Sequence, residues 1–338
     1  TTPSFRLFTS LRYDPLLLTS PENSKSHLNF ISPSPFYMLI YHRDRMLEAA
    51  QHFEFHAVAQ KLQDGPALHA ALLQKVNEAL SSEAEGDKAS PLKLRILFDK
   101  SATLEVEISH IPAVPLSTLY PPSLSPPNPT PTPHPANPSP SPSAKPFTPS
   151  PLTGGPLTLG PTDSFPPSSN QTPSPSPCPP PEWLIRLDTQ PTPSTPFTLL
   201  KTTHRAMYDK SRSRALPSNA PSPLFAEVML YNECDELTEG STTSLYLFRG
   251  GRWVTPPVGV PAGEFGAETL KAGASGDSMW DEGELRKPFA GRWGHSVRSA
   301  KVGAGGQRGA TRRWALGQGM CMEEPVSVGT VGVGEGVW

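Results

Sequence analysis

Apolar residues recur at every second position in two neighbouring stretches, first Leu92, Leu94, Ile96 and Phe98, then Leu104, Val106 and Ile108 after the polar "DKSA". Successive side chains of a strand point to opposite faces, so this alternation predicts a hairpin with one buried face. Upstream the period changes. In "HRDRMLEAAQHF" the apolar positions Met46, Ala49, Ala50 and Phe53 repeat at i, i+3, i+4 and i+7, which predicts a helix with a single buried stripe. Arg45 sits beside that stripe. A second helix is predicted in "PALHAALLQKVNEAL", where Pro66 suits a first-turn position and Leu68, Leu72, Val76 and Leu80 share a face. The chain opens on "FRLFTSLRYD", apolar and aromatic enough for a strand.

Between Pro112 and Pro181 the pattern stops, because 26 of the 44 prolines fall there among Ser, Thr and Asn. Such a stretch lacks backbone donors and buries little, so it is expected to be a disordered insertion. Beyond it "WLIRLD" and "AEVMLYN" read as strands, "HRAMYDKSRSRAL" as a helix, and "SLYLFRGGRWVTP" as a hairpin turning at Gly250 and Gly251. Residues 262–305 are Gly-rich and weakly periodic, an expected insertion. "QRGATRRWALGQGM" predicts a Gly-containing turn opening a helix, and the tail "EEPVSVGTVGVGEGVW" begins like a strand and stops. The expected organisation is an α+β chain with an N-terminal α+β domain over 1–111, the Pro-rich insertion over 112–182 and a C-terminal domain over 183–338.

At 338 residues the chain has room for two cores. Its net charge of −2 supplies no basic field for nucleic acid. Cys178, Cys234 and Cys321 match neither a metal spacing nor a disulfide framework, which suits a reducing compartment. Apolar runs such as "FYMLIY" fall far short of the ~20 residues a membrane span needs. No signal-peptide pattern opens the chain, although its first residue is not Met. The expected protein is cytoplasmic, binding neither nucleic acid nor membrane, and with no metal.

One stretch raises a question of chemistry. "FTLLKTTHRAMYDKSRSR" puts Lys201 at the end of a short apolar run. A lysine there is either one more solvated cation or an amine that desolvation has made nucleophilic. Lys210, in the charged "DKSRSR" run, reads as a solvated residue.

Taken together, "LFTSLRYD", "HRDRMLEAAQHF", "KTTHRAMYD" followed by "ECDELTEGSTTSLYLFRGGRWVTPP", and "RGATRRWAL" resemble the class IV aminotransferases of the pyridoxal-phosphate fold type IV. The resemblance implies a two-domain fold, pyridoxal 5'-phosphate as cofactor, a small-molecule substrate and a homodimer. It makes Lys201 the Schiff-base lysine and the acid and base of the reaction, and Glu239 the partner of the ring nitrogen. It assigns the phosphate to Arg45 and to the amides of Ala310 and Thr311. The bland alternatives are a helix-surface ion pair of Arg45 with Asp44 or Glu48, and a surface turn carboxylate at Glu239, the role expected of its neighbours Asp235 and Glu236. Gly240 would let the backbone approach a planar cofactor, and Arg312 and Arg313 are expected to face solvent. Arg12 faces the substrate or makes a structural salt bridge.

Within the family, "LFTSLRYD", "KTTHRAMYD" and the proline insertion look most like the aminodeoxychorismate lyases, which form p-aminobenzoate and pyruvate from 4-amino-4-deoxychorismate in folate biosynthesis. His204 stands where those lyases usually have Asn, and family members continue past the position of Trp338, so a truncated C-terminus is expected. The alternatives are a transaminase acting on branched-chain or D-amino acids, an inactive homologue, and an interaction scaffold presenting PxxP segments.

Overall fold

A computed structural model describes residues 4–81, 90–124, 184–218, 225–258, 306–333 and 335–337. The two expected insertions lie largely outside these residues.

Strand β1 (Leu7–Tyr13) pairs antiparallel with β2 (Leu92–Phe98), and β2 pairs with β3 (Leu104–His110), forming the predicted hairpin and one strand more. Register sets Leu7 opposite Phe98 and Leu92 opposite His110. Leu92, Leu94, Ile96 and Phe98 are fully buried, as the alternation requires, while the apolar residues of β3 are half-buried. They pack against helices α1 (Leu39–His52), α2 (His56–Lys61) and α3 (Gly65–Leu80). In α1 the stripe Met46, Ala49 and Ala50 is buried and Phe53 ends the helix. In α3 Leu68, Leu72, Val76 and Leu80 all face the core, Pro66 lies in the first turn, and Asp64 caps the helix by accepting from Ala67 N at 2.9 Å.

A short helix α4 (Leu116–Leu119) lies inside the expected Pro-rich insertion, whose first residues, up to 124, are held against the rest of the chain: Leu116, Leu119, Tyr120 and Leu124 pack on a core cluster, and Tyr120 OH donates to Asn23 Oδ1 at 2.6 Å. After the tract, β4 (Leu184–Leu187) runs parallel to β5 (Ala226–Tyr231), which pairs antiparallel with β6 (Leu237–Gly240). Between them come one helical turn, α5 (Pro196–Leu199), and helix α6 (Ala206–Ala215). A third sheet joins β7 (Leu247–Arg249), β8 (Arg252–Thr255) and β9 (Met322–Glu323), with helix α7 (Ala310–Gly317) before β9. The β7–β8 turn has Gly250 and Gly251 at φ 55° and 76°, the left-handed pair that a two-residue hairpin of type I′ demands.

Described residues from both sides of the tract pack into one unit, Thr1–Pro127 with Trp183–Trp338. Leu199 and Leu200 join the core of the first sheet. The chain then runs along the start of β1: Phe8 N donates to Lys201 O at 3.3 Å, and Thr203 N donates to Arg6 O at 2.9 Å. Lys201 is thereby fixed beside the first sheet by backbone bonds, although it lies about a hundred residues beyond it in sequence. No described helix is long and apolar enough to cross a membrane.

Candidate active site

Four segments remote in sequence face one another around Lys201. Its ammonium lies 5.0 Å from the centre of the Phe8 ring, and among the described residues no carboxylate pairs with it. Burial is the main cause that pulls its pKa down to about 7, and the nearby cations Arg45 and Arg205 add to the effect. Glu239 opposes it. The four charged groups therefore sit within electrostatic reach of each other.

Glu239 lies in strand β6 itself, one residue before the turn, and is buried. Tyr208 OH of α6 donates to Oε1 at 2.6 Å, and Gln307 N donates to Oε2 at 3.0 Å. Gln307 Nε2 donates in turn to the Tyr208 oxygen at 2.9 Å, closing a ring of three residues. Desolvation nonetheless pushes the carboxyl pKa up to about 7. Asp235 is exposed, as a turn carboxylate should be, and Glu236 is half-buried. Lys210 is exposed.

Arg45 points off α1 towards β1. Its Nε donates to Thr9 Oγ1 at 2.9 Å and its Nη2 donates to the same oxygen and to His42 Nδ1, the latter at 3.0 Å. A guanidinium only donates, so Nδ1 must accept. The Thr9 hydroxyl, 2.8 Å from Nδ1, faces the same single lone pair and can only share it as a second donor. His42 is therefore neutral with its proton on Nε2, consistent with burial and the Arg45 charge holding its pKa well below the ordinary value. Burial also lowers Arg45, to about 10. The alternative ion pairs for Arg45 are not made: Asp44 bonds Arg43 and Arg313, and Glu48 bonds Arg308.

Ala310 and Thr311 open α7, whose N-cap Gly309 contributes no side-chain cap. The first N–H groups of a helix have no intrahelical acceptor, so these amides are available donors at the positive end of the helix dipole. Gly309 is closely packed: a Cβ there would lie 2.5 Å from Ser244 Oγ, so that hydroxyl would have to turn away. Gly306 is similarly constrained, with a Cβ falling 2.7 Å from Thr238 O. Gly240 has its own local cause. A Cβ would meet Thr243 Oγ1 at 2.5 Å and Glu227 Cδ at 3.0 Å, so the residue serves the close return of its own loop. Buried Glu227 organises that loop, accepting from the hydroxyls of Ser241, Thr242 and Thr243 at 2.5, 2.6 and 2.8 Å.

Three arginines depart from, or decide between, the sequence expectations. Arg12 takes the salt-bridge alternative, with Nη2 2.7 Å from Asp14 Oδ2 and 3.1 Å from Pro112 O. Arg312 does not face solvent. It is 2% exposed and donates to Glu323 Oε1 at 2.6 Å, Pro256 O at 2.9 Å and Thr255 Oγ1 at 3.3 Å. Arg313 is half-buried, bonding Asp44 Oδ2 at 2.7 Å and lying 4.1 Å from the Tyr41 ring centre. Helix α7 is held between α1 and the β8–β9 pair, so both arginines meet partners that local sequence does not reveal.

Sequence reasoning passed over Thr9, His42, Tyr208 and Gln307. Thr9 did leave a signal: it occupies the inward phase of β1 between Leu7 and Leu11 and is fully buried.

Residues 151–261 match the family described as amino-transferase class IV, over about a third of the chain. No curated protein matches. Among solved structures, a hypothetical aminotransferase from Mycobacterium tuberculosis in its PLP-bound form is similar at 10% identity, covering 98% of this chain and 76% of that one, with a TM-score of 0.42. The branched-chain amino acid aminotransferase from Escherichia coli is similar at 10% identity over 96% of this chain and 69% of that one, TM-score 0.40. The 4-amino-4-deoxychorismate lyase from Pseudomonas aeruginosa is similar at 14% identity over 80% and 69%, TM-score 0.31. The stretch that holds both Lys201 and Glu239 thus carries the class IV amino-transferase match.

Proposed function

We propose that this chain is a pyridoxal-phosphate enzyme of the aminodeoxychorismate lyase type, acting on 4-amino-4-deoxychorismate to give p-aminobenzoate and pyruvate. The observation that carries the cofactor reading is a half-buried amine, Lys201, set among a buried carboxyl and a half-buried guanidinium that has no carboxylate partner among the described residues. A guanidinium withdrawn in part from water and lacking a counterion is favourably placed to receive an anion.

The residues present fit the cofactor. Thr9 and His42 hold Nε and Nη2 of Arg45, which leaves its Nη1 hydrogens for a phosphate, and the Ala310 and Thr311 amides add donors at a helix start. When bound, pyridoxal phosphate supplies an electrophilic aldehyde and an electron-withdrawing ring. Glu239 would face the ring nitrogen and favour its protonated form, and Tyr208 and Gln307 fix the orientation of that carboxyl group. Lys201 Nζ, close to half neutral near pH 7, is matched to accept and return a proton at the substrate carbon. Phe8, buried beside the amine, keeps water from that side. The lyase reading rests on the sequence segments around positions 7–14 and 201–209, and the loss of enolpyruvate is driven by aromatisation of the product ring.

The test is borohydride reduction of the protein with pyridoxal phosphate, followed by peptide mapping. The expected result is one label, on Lys201, absent in Lys201→Ala; labelling of Lys210 instead would overturn the assignment. Release of pyruvate from 4-amino-4-deoxychorismate without any keto acid present then distinguishes a lyase from a transaminase.

A further inference from the structure

The carboxylates beside Arg45 and the arginines beside the α7 amides form a bracket. Asp44 and Glu48 stand one residue before and three after Arg45 on α1. Their partners Arg313 and Arg308 stand on either side of Ala310 and Thr311. Arg308 Nη1 lies 2.7 Å from Glu48 Oε1, and Arg313 Nη1 lies 2.7 Å from Asp44 Oδ2. Both pairs are partly shielded from solvent, with side chains between 18% and 32% exposed.

Each pair is braced from behind. Asp44 also accepts from Arg43 Nε at 2.8 Å, and Arg43 reaches the carbonyl of Leu62 at the end of α2 at 3.1 Å. Arg313 lies over the Tyr41 ring. Arg308 follows Gln307, which holds Glu239 and Tyr208. One short segment, 306–313, therefore touches the strand bearing Glu239, carries the free amides, and is tied by charge to the helix bearing Arg45.

We propose that the Glu48–Arg308 and Asp44–Arg313 pairs are positioning pairs that set the Arg45 guanidinium against the Ala310 and Thr311 amides, so that one phosphate group meets both. As stability devices such pairs contribute little. Their effect is on geometry, because an anion bound by a guanidinium and by helix amides at once is sensitive to their separation. The proposal rests on the cofactor reading above for the identity of the anion, and on the bracket alone for its mechanics.

The experiment compares pyridoxal 5'-phosphate, pyridoxal and inorganic phosphate binding to wild type, Glu48→Arg, Arg308→Glu and the double exchange, in parallel with Asp44→Asn. Ligand-free thermal midpoints identify any variant that has failed to fold. Each single reversal is expected to weaken pyridoxal phosphate and inorganic phosphate about tenfold while leaving pyridoxal unchanged, and the double exchange to recover most of the loss. Asp44→Asn should weaken the phosphate-bearing ligands less, in the same order. Equal losses for pyridoxal and its phosphate, or no recovery in the double exchange, overturn the proposal. A wild type that binds inorganic phosphate but neither pyridoxal compound overturns the cofactor reading and leaves the bracket to be judged on phosphate alone; a wild type that binds none of the three overturns both.

Discussion

Replacing Lys201 by Met removes a charge from a site that disfavours it, and the effect on stability has a defined sign and pH window. Burial and the neighbouring cations take the amine from 10.5 to about 7. A difference of that size corresponds to about 5 kcal/mol between the two protonation states. Because the side chain is only partly shielded by surface area, solvent screening reduces the realisable part to about 2–3 kcal/mol. Below pH 7 the folded and unfolded chains both carry the ammonium, and the folded state bears the full cost. Between about pH 7 and 10.5 the unfolded chain binds the extra proton, so stability rises with pH. Lys201→Met is therefore expected to stabilise the cofactor-free protein by about 2 kcal/mol at pH 6, an advantage that shrinks steadily and vanishes near pH 10. Urea unfolding of both proteins at pH 6, 8 and 10 measures it. A difference that does not vary with pH, or a destabilised Met variant at pH 6, would refute the claim that the amine is desolvated.

Other predictions concern its neighbours. Tyr208→Phe removes a donor from Glu239, so the carboxyl pKa should rise above its present value of about 7, read as a protonated carboxyl band in infrared spectra at pH 7.5. Thr9→Val leaves Arg45 without its shared acceptor and is expected to weaken inorganic phosphate binding about tenfold by calorimetry, the cost of roughly one charged hydrogen bond. Arg312→Ala removes the ion pair to Glu323 and the hydrogen bonds to Pro256 O and Thr255 Oγ1 and should lower stability by about 3 kcal/mol in denaturant titration. Gly306→Ala sets a methyl group against Thr238 O and should cost about 1–3 kcal/mol, whereas Gly317→Ala, with open space around it, should cost nothing.

Local pattern was enough for the elements that bury one face. The α3 stripe and the β2 alternation were legible because a single period runs uninterrupted along each. The glycine pair at 250 and 251 announced its turn because only that backbone geometry joins twisted strands in two residues. The candidate site was legible only in its chemically distinctive members. Lys201, Arg45 and Glu239 were singled out by sequence segments that resemble a family, whereas Tyr208 and Gln307 were not, since their roles exist only once β6, α6 and the segment before α7 meet. Arg312 and Arg313 were misjudged for a related reason. A charged pair on a short helix looks solvent-facing until its counterions arrive from Glu323 and from Asp44, the latter 269 positions away.

The aromatic ring next to Lys201 has a consequence for when that side chain is free to move. A ring face attracts an ammonium through its quadrupole and has no comparable hold on a neutral amine. One proton therefore governs two properties together: while present it silences the lone pair and tethers the chain end to Phe8, and its departure both arms the nitrogen and releases it.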